Sequence, residues 1–418
     1  MEKALQIVKK NLLSIICGVV ALLAMIALAY PLSGMYTHFQ ADLTTRSQDY
    51  LRAQNLINTQ RSLPIVRAGG TAVPLDAFPT EQDCDVAAQA GAAVKSQSDE
   101  LMQKAAALNQ AGHDPLLSPD ILPDPRDRAF EYRTAYLDMV QKQLPQQMGG
   151  VMPPNTDEIK AATDALHQSE VEDKIIRVNG VEANRDQLEH NFQDLAAKLP
   201  DQLLEERATK YKLYMDQTSL SVHPTMLDQN KKPTPADVWY AQLALWVEQD
   251  VAASIMEANN DVPNSNVLTD AVKRLVRLDV PEGPAIYFQN GTPGAAGAAA
   301  APVDPSTPDY SSSPTGHVCN AVYDVVQFQL VMEVDQRQIP LILHALQDNK
   351  LTNVLSVDIT QVDTNAAADQ GYIYGSAPIV SISLNCETLF MRSWTTKLMP
   401  DEVKNNDLHI PPPAAPGA

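Results

Sequence analysis

The stretch VYDVVQFQLVMEV, residues 322–334, begins the most regular part of the chain. Apolar and polar side chains alternate along it, which is typical of a strand with one buried face. The segment Gln338–Asp348 then has apolar residues at the spacing of one helix face. Two further alternating segments follow at Asn353–Val362 and Ile379–Phe390. This β-α-β-β order predicts an α+β module over residues 317–400, half or most of a ferredoxin-like sandwich.

A low-complexity linker precedes this module at residues 291–316, where Ala, Gly, Pro and Ser predominate. Residues 116–290 are predicted to form a helical middle region with a strand near 272–280. Its clearest helix follows Thr234, because a capping hydroxyl there precedes a proline and an acid, and it runs over about Pro235–Ala258. In an alternative interpretation this helix and the strand complete the module, and the linker is then an insertion within one domain.

Residues 31–115 are predicted to form juxtamembrane, coiled-coil-like helices over about Tyr36–Arg61 and Asp83–Ala111, the second of which ends before a C′ glycine, Gly112. Their apolar residues recur close to every seventh position, which is typical of a seam that meets a partner helix. The alternative is an amphipathic helix packed on its own domain. The predicted seam residues are Phe39, Leu43, Tyr50, Ile57, Val94, Leu101 and Leu108.

Near the N-terminus, residues 12–30 read LLSIICGVVALLAMIALAY, 19 residues without a charge. This length predicts a single transmembrane helix. Lysines precede it within residues 1–11, so that segment is predicted to be a cytoplasmic tail and the bulk of the chain to lie outside, in the periplasm of a cell with two membranes. The alternative is a cleaved signal peptide, because Ala27-Leu28-Ala29 is an A-x-A-like site.

Charge and cysteine content exclude several classes of protein. The chain has 31 Lys and Arg against 51 Asp and Glu, a formal net charge of −20, so no basic surface for nucleic acid is expected. Four scattered cysteines are too few for a disulfide scaffold. A disulfide between Cys319 and Cys386 is one expectation, and a small buried thiol at Cys386 is the other. Residues 401–418 are expected to be a disordered tail.

The residue types of known catalytic motifs do not occur at the required spacing. The eight histidines are widely separated, and the sequence contains no G-x-S-x-G, P-loop or G-x-G-x-x-G in a strand–helix context. The sequence therefore predicts no catalytic residue, no cofactor and no metal site, and a protein that is not an enzyme.

The arrangement resembles the PilO/PilN class of bitopic inner-membrane proteins of type IV pilus alignment complexes and related secretion platforms. In sequence the resemblance lies in the strand–helix–strand pattern from Phe328 through Ile339, Leu343 and Leu346 to Val357. It implies a non-enzymatic scaffold in the inner membrane, with the membrane and proteins as partners and with homo- or hetero-oligomers formed through the helices and the module.

The sequence differs from the family pattern in two respects. PilN-like members bind a cytoplasmic partner through an Asn-Leu-Leu-Pro-type peptide, and Asn11-Leu12-Leu13 lacks its proline. The chain is therefore expected to resemble the PilO-like members more than the PilN-like ones. The middle region is also longer than the family's usual linker. A membrane-tethered extracytoplasmic sensor or ligand-binding protein is the alternative function.

Overall fold

The computed structural model describes residues 8–59, 61–62, 74–75, 80–178, 181–260, 262, 264–289, 310 and 313–410. The chain divides into two compact units, Met1–Glu100 and Leu101–Ala418. The first part of the predicted cytoplasmic tail, most of the predicted linker and the end of the predicted disordered tail lie outside the described residues.

The first unit contains helix α1 (Leu12–Asn58), the two-residue strands β1 (Arg61–Ser62) and β2 (Pro74–Leu75), and most of helix α2 (Glu81–Gln110). Strands β1 and β2 pair in antiparallel fashion. At the start of α2, Thr80 and Asp83 form a reciprocal cap, in which the Asp83 carboxylate accepts from the Thr80 N–H at 2.8 Å.

The predicted transmembrane helix at residues 12–30 is wrong. No helix among the residues that the structure describes is both long and apolar enough to cross a membrane. The 19 uncharged residues are close to the roughly 20 that a span needs, so the prediction rested on the length of this run. They form only the first part of the 47-residue helix α1, whose later turns carry Asp42, Arg46 and Asp49.

Six strands of the second unit form one mixed sheet in the order β3-β6-β7-β8-β10-β9. The pairs β3–β6 and β6–β7 are parallel, and the pairs β7–β8, β8–β10 and β10–β9 are antiparallel. A separate hairpin is formed by β4 and β5. The bounds are β3 Gly150–Val151, β4 Arg177–Val178, β5 Val181–Glu182, β6 Leu213–Tyr214, β7 Val272–Asp279, β8 Tyr323–Asp335, β9 Thr352–Gln361 and β10 Ile379–Met391.

The α-helices described after α2 are α3 Ala129–Asp138, α4 Leu144–Gln147, α5 Thr156–Glu170, α6 Arg185–Ala196, α7 Leu199–Lys210, α8 Pro224–Leu227, α9 Pro235–Asn260, α10 Ile339–Asn349, α11 Thr364–Asp369 and α12 Arg392–Leu398. Helices α9 and α10 pack against each other, α9 against β7 and α10 against β9. The main core therefore lies between these two helices and the sheet.

Helix α9 is the central element of this core. It begins where the sequence predicts, because Thr234 and Asp237 cap each other: the Asp237 carboxylate accepts from the Thr234 N–H at 2.9 Å, and the Thr234 hydroxyl accepts from the Asp237 N–H at 3.1 Å. Every residue from Val238 to Glu248 is buried, including Trp239 and Trp246. The two tryptophans are core residues, as expected, with their rings 5.9 Å apart in a T-shaped pair.

The α+β class is confirmed, but the ferredoxin-like sandwich over residues 317–400 is wrong, because the sheet has six strands and mixed pairing. The long strand β8 has two edges that need hydrogen-bond partners. One edge pairs with β10, and the other pairs with β7, from Val272 opposite Val334 to Asp279 opposite Gln329. The alternative interpretation, in which the middle region completes the domain, is the one found. The segment 291–316 therefore connects two adjacent strands of one sheet.

Candidate functional site

The C-terminal end of α2 is fixed to the sheet by one buried amide. The Asn109 side chain donates to the Leu389 carbonyl at 2.7 Å, and its oxygen accepts from the Met391 N–H at 2.8 Å and from the Trp394 indole N–H at 2.9 Å. The three groups lie at the end of β10 and in α12. This amide satisfies both main-chain and side-chain partners, so it holds the last turn of α2 in a defined position.

His113 forms a second attachment directly after this helix. Its ring lies between Trp246, Phe390 and Trp394, with centroid distances of 5.5, 5.4 and 5.8 Å. Nδ1 lies 2.6 Å from the Asn109 carbonyl, and Nε2 lies 3.1 and 3.0 Å from the two carboxylate oxygens of Asp250. The imidazole therefore contacts the main chain of α2 through one ring nitrogen and a carboxylate of α9 through the other.

Gly112 turns the chain between Asn109 and His113. Its φ of +79° is in the left-handed region, and it stands in the C′ position that the sequence predicts. The Lys350 ammonium donates to the carbonyls of Leu108 and Ala111, and it thereby satisfies two acceptors that a helix end leaves open.

The apolar positions that repeat along α2 are exposed, in contrast to its fixed last turn. Val94, Leu101 and Leu108 are 44%, 66% and 50% exposed. They lie at the predicted seven-residue spacing, so α2 presents an apolar seam that the described part of the chain does not cover. The name α2 seam is used below for these three residues.

The predicted seam residues on α1 are also exposed. They are each between 54% and 69% exposed and comprise Phe39, Leu43, Tyr50 and Ile57. None of them is buried against its own domain in the described structure. The seam itself, as a surface that binds a partner helix, stays a prediction.

The predicted disulfide between Cys319 and Cys386 is not formed, and both thiols are free. Cys319 instead bonds with the main chain of Val325, whose N–H lies 3.2 Å from the sulfur. Cys386 is fully buried on β10, and this burial raises the pKa of its thiol to about 12. The buried-thiol alternative is therefore the one found for Cys386.

Several ionisable groups in the core have shifted pKa values. Glu248 on α9 is completely buried with neither carboxyl oxygen hydrogen-bonded, and desolvation raises its pKa well above the usual value. Burial also raises the pKa of Asp270 to about 6 and lowers the pKa of Lys273 to about 8. The Lys273 ammonium donates to the Val267 carbonyl at 2.8 Å, so it supports a loop.

None of these groups belongs to a metal-binding cluster in the described part of the chain. Within it, no three or more His, Cys, Asp and Glu side chains are grouped so that they could hold a metal ion. A small groove lined by Asp250, Ser254, Asn349, Thr352 and Thr388 opens beside α9. The Asp250 carboxylate is bonded to His113, and the Asn349 amide donates to the Asp250 main-chain carbonyl at 2.8 Å and to the Ser254 hydroxyl at 3.2 Å.

Sequence reasoning did not single out Asn109, His113 or Asp250. Asn109 and Leu389 are 280 positions apart, and His113 and Asp250 are 137 positions apart. A local pattern carries no signal for such contacts. The one indication was the predicted C′ glycine at position 112, which placed a sharp turn where the attachments are found.

No family model matches the sequence, and no curated protein matches it. Among solved structures, the chain is similar to a crystal structure from Akkermansia muciniphila at 8% sequence identity and a TM-score of 0.24. The alignment covers 64% of this chain and 95% of that chain. A TM-score this low carries no argument about function.

Proposed function

We propose that the protein is a non-enzymatic assembly protein that binds a partner helix along the α2 seam. The exposure of Val94, Leu101 and Leu108 supports this proposal most strongly. Apolar residues repeated every seven positions form a stripe that a second helix covers by knobs-into-holes packing. Contiguous apolar surface left in water is uncommon unless it serves binding.

The anchoring of the helix end also supports binding. Leu108 belongs to the last turn of α2, which Asn109 joins to the end of β10 and Lys350 joins to the connection between α10 and β9. A surface that is already ordered loses less conformational entropy on binding than a mobile one. The α2 seam is therefore ordered at its Leu108 end in the free protein, which lowers the entropic cost of binding.

The roles of the buried polar groups agree with a non-enzymatic function. His113 joins the end of α2 to α9 through Asp250, and Lys273 supports the loop that carries Val267. A structural role is therefore sufficient to explain why His113 and Lys273 are buried. The assignment to a PilO-like protein of a pilus or secretion machine rests on the resemblance in sequence pattern alone and stays a prediction.

Site-specific photo-crosslinking tests the proposed function. A photo-reactive residue is placed at Leu101 in the full chain, and a matched one at Gln103, which is exposed on the opposite side of α2 because successive residues are about 100° apart. After irradiation in the producing organism, we expect a discrete protein adduct from position 101 and none from position 103.

A second substitution links that adduct to the α2 seam. Leu108→Glu in the chain that carries the reactive residue at 101 places a charge in the same stripe and is expected to abolish the adduct. Gln110→Glu, an exposed substitution outside the stripe, is expected to leave it unchanged. Equal labelling from 101 and 103, or an adduct that survives Leu108→Glu, would overturn the proposal.

A further inference from the structure

An arginine of α3 is buried without an acidic partner. Arg133 is 5% exposed, and its Nη2 donates to the main-chain carbonyls of Thr225, at 3.5 Å, and of Lys231. Its Nε–H is buried without an acceptor, and no described carboxylate forms an ion pair with it. A guanidinium is not neutralised by burial, and buried charges in proteins are generally paired. The position therefore lacks the counter-charge that such a group needs.

A buried histidine brings a second unpartnered nitrogen to the same place. His223 directly precedes α8, is 7% exposed, and has its Nδ1 2.8 Å from the Thr225 hydroxyl. Burial lowers the pKa of its imidazole, so the ring is neutral near pH 7. When Nδ1 accepts from the Thr225 hydroxyl, the ring proton is on Nε2, which has no partner among the described residues. The side chains of Arg133 and His223 thus meet at Thr225, and each has one unused N–H.

Two lysines extend the positive charge to the protein surface. Lys231, whose carbonyl binds Arg133, and Lys232 are exposed, and neither forms an ion pair with another described residue. The nearest acids in sequence, Asp228 and Asp237, each accept a main-chain N–H of their own segment. Three cations against two acids leave the local charge positive, in a chain with a formal net charge of −20.

Phe130 covers the guanidinium of Arg133. Its ring centroid lies 5.3 Å from Cζ of Arg133, and the two residues are one turn apart on α3. The Phe130 side chain is 53% exposed, so few contacts within the protein hold it in place. An ion that enters from solvent would therefore displace this ring rather than a residue of the core.

We propose that Arg133 and His223 bind a small phosphate group, with Lys231 and Lys232 at the entrance of the site. Phosphate oxygens accept from Nε of Arg133 and from Nε2 of His223, and they supply the missing counter-charge. A phosphate carries up to two negative charges near neutral pH, whereas a carboxylate carries one, so the surplus of cations favours phosphate. The α2 seam contributes no residue to this site, so the proposal is independent of the function proposed above.

Isothermal titration calorimetry of the full chain with inorganic phosphate tests the site. Near neutral pH and at low salt, the wild type is expected to bind about one phosphate per chain in a saturable manner. Acetate at equal ionic strength is expected to bind more weakly, because it carries a single charge. Equal binding of acetate would overturn the choice of phosphate as the ligand.

Substitution of the two exposed lysines separates local from general attraction. Lys231→Gln combined with Lys232→Gln is expected to weaken phosphate binding by about three- to tenfold. Lys160→Gln combined with Lys198→Gln is the matched control, since it removes the same charge from exposed positions on α5 and beside α7. This control is expected to bind as the wild type does. Equal weakening by both pairs would show attraction by net charge alone and would overturn the proposal.

Two substitutions of the buried donors test the site directly. Arg133→Gln is expected to abolish saturable binding of phosphate, and circular dichroism shows whether this variant is folded. His223→Phe keeps a flat ring and removes the N–H, so it is expected to weaken binding by about tenfold, and it decides the matter if Arg133→Gln does not fold. Unchanged affinity in either folded variant, or a wild type that binds no phosphate, would overturn the proposal.

Discussion

The two carboxylate oxygens of Asp250 lie 3.1 and 3.0 Å from Nε2 of His113, which joins the loop after α2 to the central helix α9. The His113 side chain is 1% exposed and that of Asp250 13% exposed. Three aromatic rings surround the imidazole and shield it from water. The pair is therefore an attachment between elements 137 positions apart.

His113→Ala is expected to lower the free energy of unfolding by about 3–5 kcal/mol, because it leaves a partly buried carboxylate without its partner and opens a cavity among the rings. Urea unfolding monitored by circular dichroism measures this change. His344→Ala is the control: His344 pairs with Asp348 on the surface of α10, where both side chains are well exposed. That variant is expected to change stability by less than about 0.5 kcal/mol. Similar losses for both variants would refute the anchoring role of His113.

Gly112 permits the turn that brings His113 to Asp250. An added Cβ at position 112 would meet no atom within 4 Å, so only the backbone conformation opposes a larger residue. Gly112→Ala is expected to lower stability by about 1–2 kcal/mol, which is the cost of a left-handed conformation for an L-residue.

Gly91→Ala supplies a control of opposite sign on the same helix. Gly91 lies within α2, and a Cβ there also has open space. Alanine is favoured over glycine in a helix interior by about 1 kcal/mol, so this variant is expected to be neutral or stabilised. If thermal unfolding showed Gly112→Ala to be as stable as the wild type, the left-handed turn would not be required.

Asn109→Ala removes one acceptor that serves two donors. The Met391 N–H and the Trp394 indole N–H would lose their acceptor in the core. Each buried donor without an acceptor lowers the free energy of unfolding by about 1–3 kcal/mol. We expect a loss of about 2–4 kcal/mol and a change in tryptophan fluorescence, measured during urea unfolding. Gln110→Ala, at the exposed neighbouring position, is expected to change neither. An unchanged midpoint for Asn109→Ala would contradict the anchor.

The elements of the C-terminal region could be predicted because their signals are local. Alternation over 13 residues identifies β8 and β10, and the spacing of Ile339, Ile342 and Leu346 identifies α10. The full strand order could not be predicted, because β7 lies before the linker while its partner β8 lies after it, and because the outer strands β3 and β6 have only two residues each. The uncharged run at residues 12–30 led to the wrong interpretation, since its length fits a membrane span whatever helix contains it.

Glu248 makes the stability of the protein depend on pH. Burial raises the pKa of this carboxyl well above its usual value, so it is neutral in the folded protein over a pH range in which the unfolded chain ionises it. Its contribution is therefore fully present below the unfolded pKa, near pH 4.5, and is lost as pH rises toward the folded pKa. The expected loss is about 1.4 kcal/mol per pH unit.

Glu248→Gln removes this titration and keeps the shape of the side chain. Its stability is expected to equal that of the wild type near pH 4 and to exceed it increasingly as the pH rises above the unfolded pKa, because the slope due to Glu248 is absent. Glu257→Gln, an exposed substitution on the same helix, is expected to follow the wild type at each pH. Urea unfolding at several pH values measures the three curves. If the stability curve of Glu248→Gln ran parallel to that of the wild type, the Glu248 carboxyl would have the same pKa in the folded and the unfolded protein. Folding would then not be linked to protonation of Glu248.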